Sequence, residues 1–428
     1  MNSVATPVPD PASTRLPRLR ARLLMNPAHH ANLPYGQDQA QILSARALAQ
    51  ASAAIRDWPG YAPTPLHRLP ALARRLDVAE VLYKDEGGRF GLGSFKALGG
   101  AYAVARLLCR LTGSVLGREV GLHELGMPEV RAVSETVTVA CATDGNHGRS
   151  VAWGARMFGC RCVIFIHATV SDGRKRAIEA LGARVVRTEG NYDESVREAD
   201  AQAAAQGWHV ISDTSYPGYM DVPRDVMQGY QVMMDEAGNQ WDAAGGSPTH
   251  VFIQAGVGGF AAAVCGWFWE RAGAASRPRF IVVEPDAADC LYRSAARQEL
   301  TAVTGGLETL MAGLACGEVS HLAWMILRQA VDAFAVIDDD AAIATMRLMA
   351  CPLPGDPCIV AGESAVAGLA AAMAIAADPQ QRAQLGIDAH SRFFFIGSEG
   401  DTDPELYTRL VGASADSLRG ARAAQAGA

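Results

Sequence analysis

The stretch Tyr83-Lys84-Asp85-Glu86-Gly87-Gly88-Arg89-Phe90-Gly91-Leu92-Gly93-Ser94-Phe95-Lys96 decides how the rest of the chain is read. It leaves an apolar run, Val81-Leu82-Tyr83, that reads as a strand. It then crosses a glycine-rich turn and enters Ala97 to Arg106, which reads as a helix. A lysine at such a loop-to-helix junction can be held and partly desolvated, which lowers its pKa and makes its amine a nucleophile. A solvated lysine at a helix start is the plainer reading of Lys96 when this stretch is taken alone.

Working outward, the chain alternates strands and helices. Thr136 to Cys141 reads as a strand, Arg149 to Phe158 as a helix, Cys162 to Ile166 as a strand and Asp172 to Leu181 as a helix. The strand Arg184–Arg187, the helix Tyr192–Gln206 and the strand 208–211 continue the rhythm. Strands alternating with helices of roughly 10–15 residues predict parallel sheet with right-handed crossovers. His250–Gln254 and 279–284 read as central strands of a second sheet, 363–377 as a buried Ala-rich helix and 392–396 as a last strand. Tyr61 to Pro70 reads as a proline-punctuated loop, Ala71 to Leu76 as a short helix, and 107–135 as mixed with a long loop.

With 428 residues the chain is too long for one ordinary core, and two domains are expected. Acidic and basic residues are mixed along the chain at a net charge of −7, so no basic stripe suggests nucleic acid. No apolar run reaches the length of a membrane span. Nine cysteines are scattered without paired metal-ligand spacing, which argues against a zinc site and fits a reducing, cytoplasmic setting. Residues 1 to about 20 read as a mobile arm, not as a targeting segment.

Four loops at strand ends carry chemistry. Gln254-Ala255-Gly256-Val257-Gly258-Gly259-Phe260 joins a strand to a helix. Its glycines expose backbone N–H groups at a helix N-terminus, which suits a phosphate. The spacing is not that of a dinucleotide fingerprint, so a phosphate monoester is the better match. Ala142-Thr143-Asp144-Gly145-Asn146-His147-Gly148 places a carboxylate, an amide and an imidazole together; a helix cap explains Asp144 but not its neighbours. Ser212 to Tyr219 carries Asp213. Gly397-Ser398-Glu399-Gly400-Asp401-Thr402 is the fourth. Turn chemistry explains any one of these loops, but not all four beside a poised lysine.

A lysine in G-S-F-K, a D-G-N-H-G loop, a G-V-G-G cup and a late serine loop, in that order, resemble the fold-type II pyridoxal-phosphate enzymes of the tryptophan-synthase-β-like group. The likeness spans about Tyr61 to Leu410. Lys84-Asp85-Glu86, Arg89-Phe90-Gly91-Leu92, Phe95 to Gly100, Thr143 to Arg149, Asp213-Thr214, Met227-Gln228-Gly229-Tyr230, Met311 to Glu318 and Ser398 to Thr402 sharpen it to the diaminopropionate ammonia-lyase family. Threonine and serine dehydratases usually carry serine at the place of Asp144 and end the serine loop differently. The resemblance implies an α/β fold with two open, twisted, mostly parallel sheets, flanking helices and a site in the interdomain cleft. It also implies a large cofactor domain from 41–96 and 224–428, a small domain of 97–223, an arm of 1–40 and a homodimer.

The resemblance assigns roles by position. Lys96 forms the Schiff base with pyridoxal 5'-phosphate, and Asn146 bonds its phenolate oxygen. The backbone of Gly256, Val257, Gly258 and Gly259 holds its phosphate, and Ser398 faces its ring nitrogen. Asp144, Gly145, Asn146 and His147 bind the substrate carboxylate. Asp144 and Asp213 are the bases for D- and L-2,3-diaminopropionate, which is converted to pyruvate and two ammonia; a dry pocket would raise both carboxyl pKa values. No metal is implied. A serine/threonine dehydratase-like lyase and a non-catalytic pyridoxal-phosphate-binding protein remain the alternatives. Whether Cys290 and Cys316 pair reversibly stays open.

Overall fold

The computed structural model describes residues 16–426 apart from Asp144, Thr169, Asn191 and 243–245. Among them, eleven strands form two sheets: β1 (Arg22–Met25), β2 (Leu66–Arg68), β3 (Glu80–Asp85), β4 (Thr138–Ala142), β5 (Arg161–Ile166), β6 (Arg184–Arg187), β7 (His209–Val210), β8 (His250–Gln254), β9 (Arg279–Pro285), β10 (Ala333–Ile337) and β11 (Arg392–Gly397). The larger sheet is seven-stranded, in the order β1-β10-β9-β8-β11-β3-β2, and the smaller is four-stranded, in the order β6-β5-β4-β7.

Strands β10, β9, β8, β11 and β3 run parallel, while β1 and β2 close the two edges antiparallel. The smaller sheet is parallel throughout. Central parallel strands are covered on both faces, which is why β8 and β10 are buried at every residue. The fold is thus the α/β architecture of two mostly parallel sheets that the sequence predicts.

All four strands of the smaller sheet come from 138–210, and the larger sheet is built from segments on either side of it. The structure corrects the sequence reading in several places. The helix that opens at Lys96 runs on to Leu116, because Leu107 and Leu108 continue its buried face past Arg106. The loop 61–70 contains β2, which pairs with β3 from Leu66 to Arg68. Within residues 1–40, taken as an arm, β1 pairs with β10, and the side chain of Asn26 donates to the carbonyls of Arg328 and Val331. The Ala-rich helix begins at Ala367.

The helix Lys96–Leu116 packs on both Asn146–Phe158 and Asp221–Asp242 at close range. A Cβ on Gly99 would lie 2.3 Å from the Tyr230 ring, and one on Gly100 would lie 2.2 Å from Ser150 Oγ. Glycines there let the three helices approach and fix where Lys96 stands.

Candidate active site

Lys96 is the first residue of its helix. The loop before it is stitched to the serine loop by backbone hydrogen bonds: Phe95 N–H donates to the Ser398 carbonyl at 3.0 Å, and Gly400 N–H donates to the Gly93 carbonyl at 3.0 Å. Strands β3 and β11 lie side by side, so their outgoing loops begin at the same level.

Beneath the lysine loop lies a buried ionic cluster drawn from the opening motif. Lys84 Nζ donates to Glu236 at 2.9 Å, to the Thr64 carbonyl at 2.7 Å and to Gln240 at 3.0 Å. Arg89 bridges Glu86 at 2.8 Å and Glu236 at 2.7 Å. All four charged side chains are at most 1% exposed. Burial pushes Glu236 up, but Arg89 and Lys84 outweigh it and hold the carboxyl down at about 2.

One cavity gathers Lys96, Gly145, Asn146, His147, Asp213, Gly256, Val257, Gly258, Gly259 and Ser398. These are all the described residues expected in the site; Asp144 lies outside the described residues. Lys96 Nζ donates to Asp213 Oδ2 at 2.6 Å. Burial alone would lower the lysine pKa, but the Asp213 carboxylate outweighs it and the net shift is upward. The sequence expectation of a lowered lysine pKa is therefore corrected. So is that of a raised Asp213: burial pushes it up, but Lys96 and His147 hold it well below the ordinary carboxylate range.

His147 donates from Nε2 to the Ile211 carbonyl at 2.8 Å, since a carbonyl only accepts. Its Nδ1 is buried, has no hydrogen-bond partner among the described residues, and stands 4.0 Å from Asp213 Oδ2. Burial holds the imidazole below its ordinary pKa, against the pull of Asp213.

Gly258 ends the loop after β8 at φ +95° and caps the helix Gly259–Ser276, whose first N–H groups have no intrahelical partner. A Cβ on Gly258 would meet Ala323 Cβ at 3.1 Å, and one on Gly256 would meet Cys316 Sγ at 2.9 Å. Neighbouring residues therefore leave no room for a side chain at either position, and of Gly256 to Gly259 only Val257 carries one. A helix N-terminus of this kind fits a phosphate, and an amine and a hydroxyl in the same cavity fit a pyridine aldehyde carrying that phosphate. Gln254 Nε2 donates to Ser398 Oγ at 2.9 Å and to the Ile396 carbonyl at 2.8 Å. That leaves the serine's own O–H to donate elsewhere.

Sequence reasoning gave no role to four other groups here. Gln254 was visible as the last residue of a strand and the first of the glycine loop, with no role of its own. Tyr230 lines the cavity with a buried hydroxyl that has no hydrogen-bond partner among the described residues. Arg174, from the helix Asp172–Glu179, lines the cavity and pairs with Glu363 at 3.1 Å and with Asp403 at 3.6 Å. Glu363 is pushed up to about 8 by burial and by Glu399. Contacts of this kind join segments far apart in sequence and leave no local pattern. Cys290 and Cys316 are both free thiols. No cluster of metal-ligating side chains occurs among the described residues.

Residues 58–387 match the family of pyridoxal-phosphate dependent enzymes. Diaminopropionate ammonia-lyase from Escherichia coli K12 is 40% identical over 356 residues, 82% of this chain and 88% of its own. The holo structure of the Escherichia coli enzyme superposes with a TM-score of 0.81 at 38% identity, covering 93% of this chain and 98% of that one. Its complex with D-serine gives the same TM-score, 0.81, at 37% identity, again covering 93% of this chain and 98% of that one. With a matching family model over residues 58–387 and a relative 40% identical over 82% of its length, the chain belongs to the diaminopropionate ammonia-lyase family of pyridoxal-phosphate-dependent enzymes.

Proposed function

We propose that this protein converts 2,3-diaminopropionate, as the D-isomer, the L-isomer or both, to pyruvate and two ammonia by α,β-elimination. The observation that carries the reading is the 2.6 Å pairing of Lys96 with Asp213 in the cavity that also holds the glycine cup. Bound pyridoxal phosphate supplies an electron sink that weakens the Cα–H bond. Lys96 would be the covalent anchor, and the amides of Gly256 to Gly259 would hold the phosphate. Asn146 would bond the phenolate oxygen, and the Ser398 hydroxyl, set by Gln254, would meet the ring nitrogen.

The proton between Lys96 and Asp213 must leave the lysine before its nitrogen can bond carbon. Asp213 is the acceptor in hydrogen-bond contact with it. A group standing where the Lys96 amine stands would face the same carboxylate, which supports Asp213 as a base; its assignment to the L-isomer follows the family resemblance. The D-isomer presents its proton to the opposite face, and Asp144 is the base proposed there. Two carboxylates also suit a substrate with two ammonium groups. Backbone N–H groups of Asn146 and His147 would take the substrate carboxylate, with Gly145, whose N–H donates to Thr143 Oγ1 at 3.0 Å, shaping the turn beside them.

We assign 97–223 to the small domain and 41–96 with 224–428 to the large one; the separate origin of the two sheets supports this. A homodimer and a cytoplasmic setting are proposed with it. No helix among the described residues is long and apolar enough to cross a membrane, and the cysteines there are free thiols.

Purified yellow protein is given D-diaminopropionate, L-diaminopropionate, L-serine and L-threonine separately, with 2-oxo acid release as readout. Rapid turnover of either diaminopropionate isomer with slow turnover of the hydroxy amino acids is the expected result. Turnover of serine or threonine alone would replace the diamine assignment with a dehydratase, and yellow protein inert on all four would indicate a binding protein.

A further inference from the structure

The serine loop contains a carboxylate to which the mechanism gives no task. Glu399 is 4% exposed and lines the cavity beside Ser398. It is fully engaged. Its Oε1 accepts the Ser364 backbone N–H at 3.1 Å. Its Oε2 accepts Asn146 Nδ2 and, at 3.4 Å, the Thr402 hydroxyl. Charged and titratable groups facing it are Arg149 from the helix Asn146–Phe158, Glu363 from the loop before Ala367–Ala377, and Tyr83 from β3, with Arg174 and Asp401 beyond them.

A carboxylate only accepts, so Glu399 decides which end of the Asn146 amide it meets. The Nδ2 end turns to Glu399, one of its two N–H bonds is used there, and the other is left for the cavity. Any acceptor in reach of Asn146 then meets a donor backed by a negative charge. Glutamine cannot replace glutamate in this arrangement. It has one acceptor and one donor end, so either Ser364 N–H or Asn146 Nδ2 would face another N–H.

We propose that Glu399 is a positioning residue that fixes the Asn146 amide and thereby sets the electronic state of the bound cofactor at its phenolate oxygen. The proposal rests on the reading that Asn146 faces that oxygen. A negative charge delivered through Asn146 makes the oxygen more basic and favours the protonated, visible-absorbing form of the lysine-bound cofactor. Removing the charge therefore moves the conversion of that form to lower pH.

The test measures cofactor affinity and the pH midpoint of the visible band in Glu399→Gln, Glu399→Asp, Asn146→Ala and the double variant Asn146→Ala/Glu399→Gln. Expected for Glu399→Gln is a Kd raised by about tenfold and a midpoint lowered by about one pH unit. Glu399→Asp keeps the charge and both acceptors and is expected to lie closer to the parent. In the double variant, Glu399→Gln is expected to add nothing to Asn146→Ala, because its effect passes through that amide. Full additivity, a parent-like Glu399→Gln, or an aspartate no better than glutamine would overturn the proposal. A silent Asn146→Ala would instead overturn the reading of Asn146, and the proposal with it.

Discussion

Between Lys96 Nζ at 2.6 Å and His147 Nδ1 at 4.0 Å, the Asp213 carboxylate has one engaged cation and one neutral neighbour. Asp213→Asn keeps the shape and removes the base. L-diaminopropionate turnover is expected to fall by about 10²–10⁴-fold more than D-isomer turnover, since both isomers share the loss of the Lys96 proton acceptor; equal loss on both isomers would show that Asp213 is not specific to one face. His147 carries a lowered pKa because burial disfavours its charged form. Its ring-proton resonances are expected to titrate at a lower pH than those of an exposed histidine, and a midpoint at or above that of an exposed histidine would contradict the assigned environment. The residue types were legible in the sequence, and their charge states were not. A lysine at a loop-to-helix junction suggests desolvation, but only the fold shows that a carboxylate 117 positions later lies against it and reverses the shift.

At the scale of elements, the helix Asp172–Glu179 is tied to the segments of Glu363 and Asp403 through Ser171 to Asp403 at 3.0 Å and through Arg174 to Glu363 and Asp403. Arg174→Ala is expected to speed amide hydrogen exchange in that helix by about tenfold, the size of one lost charge-assisted hydrogen bond. Unchanged exchange by mass spectrometry would mean that packing, not these bonds, holds the helix in place. Elements with a strong local pattern were readable, such as the continuous apolar runs of β8 and β9 and the helix Tyr192–Gln206. The strands left unread were β1, β2 and β10. The first two have only four and three residues, and neither contains a buried one, so neither shows a buried face. The third, Ala-Phe-Ala-Val-Ile, is separated by only two residues from the apolar helix His321–Ala330, so its apolar run has no clear start of its own.

The whole molecule rests its lysine loop on the buried set of Lys84, Glu86, Arg89 and Glu236. Deleting one member strands the others in a dry interior. Glu236→Gln is expected to cost about 3–5 kcal/mol at neutral pH in urea unfolding. Glu236 has a lowered folded-state pKa, so its contribution is present above the unfolded carboxyl pKa and is lost as the pH falls towards about 2. The gap between variant and parent is expected to close over that acid window, and a gap that persists there would assign the loss to packing. The motif of these residues marked the family, but its ionic partner Glu236 lies about 150 positions away and could not be read with it. The seating of β11 between β8 and β3 bears on how the protein is made. Strands β4 to β7 are complete once residue 210 has been synthesised, so the smaller sheet can assemble while the chain is still growing. The larger sheet lacks an interior strand, and the lysine loop lacks its backbone partner, until residues 392–400 have left the ribosome. A nascent chain halted before β11 would already hold Lys96 and the glycine cup without the backbone partner of the lysine loop, and is expected not to turn yellow, which would make capture of the vitamin a late event in biosynthesis.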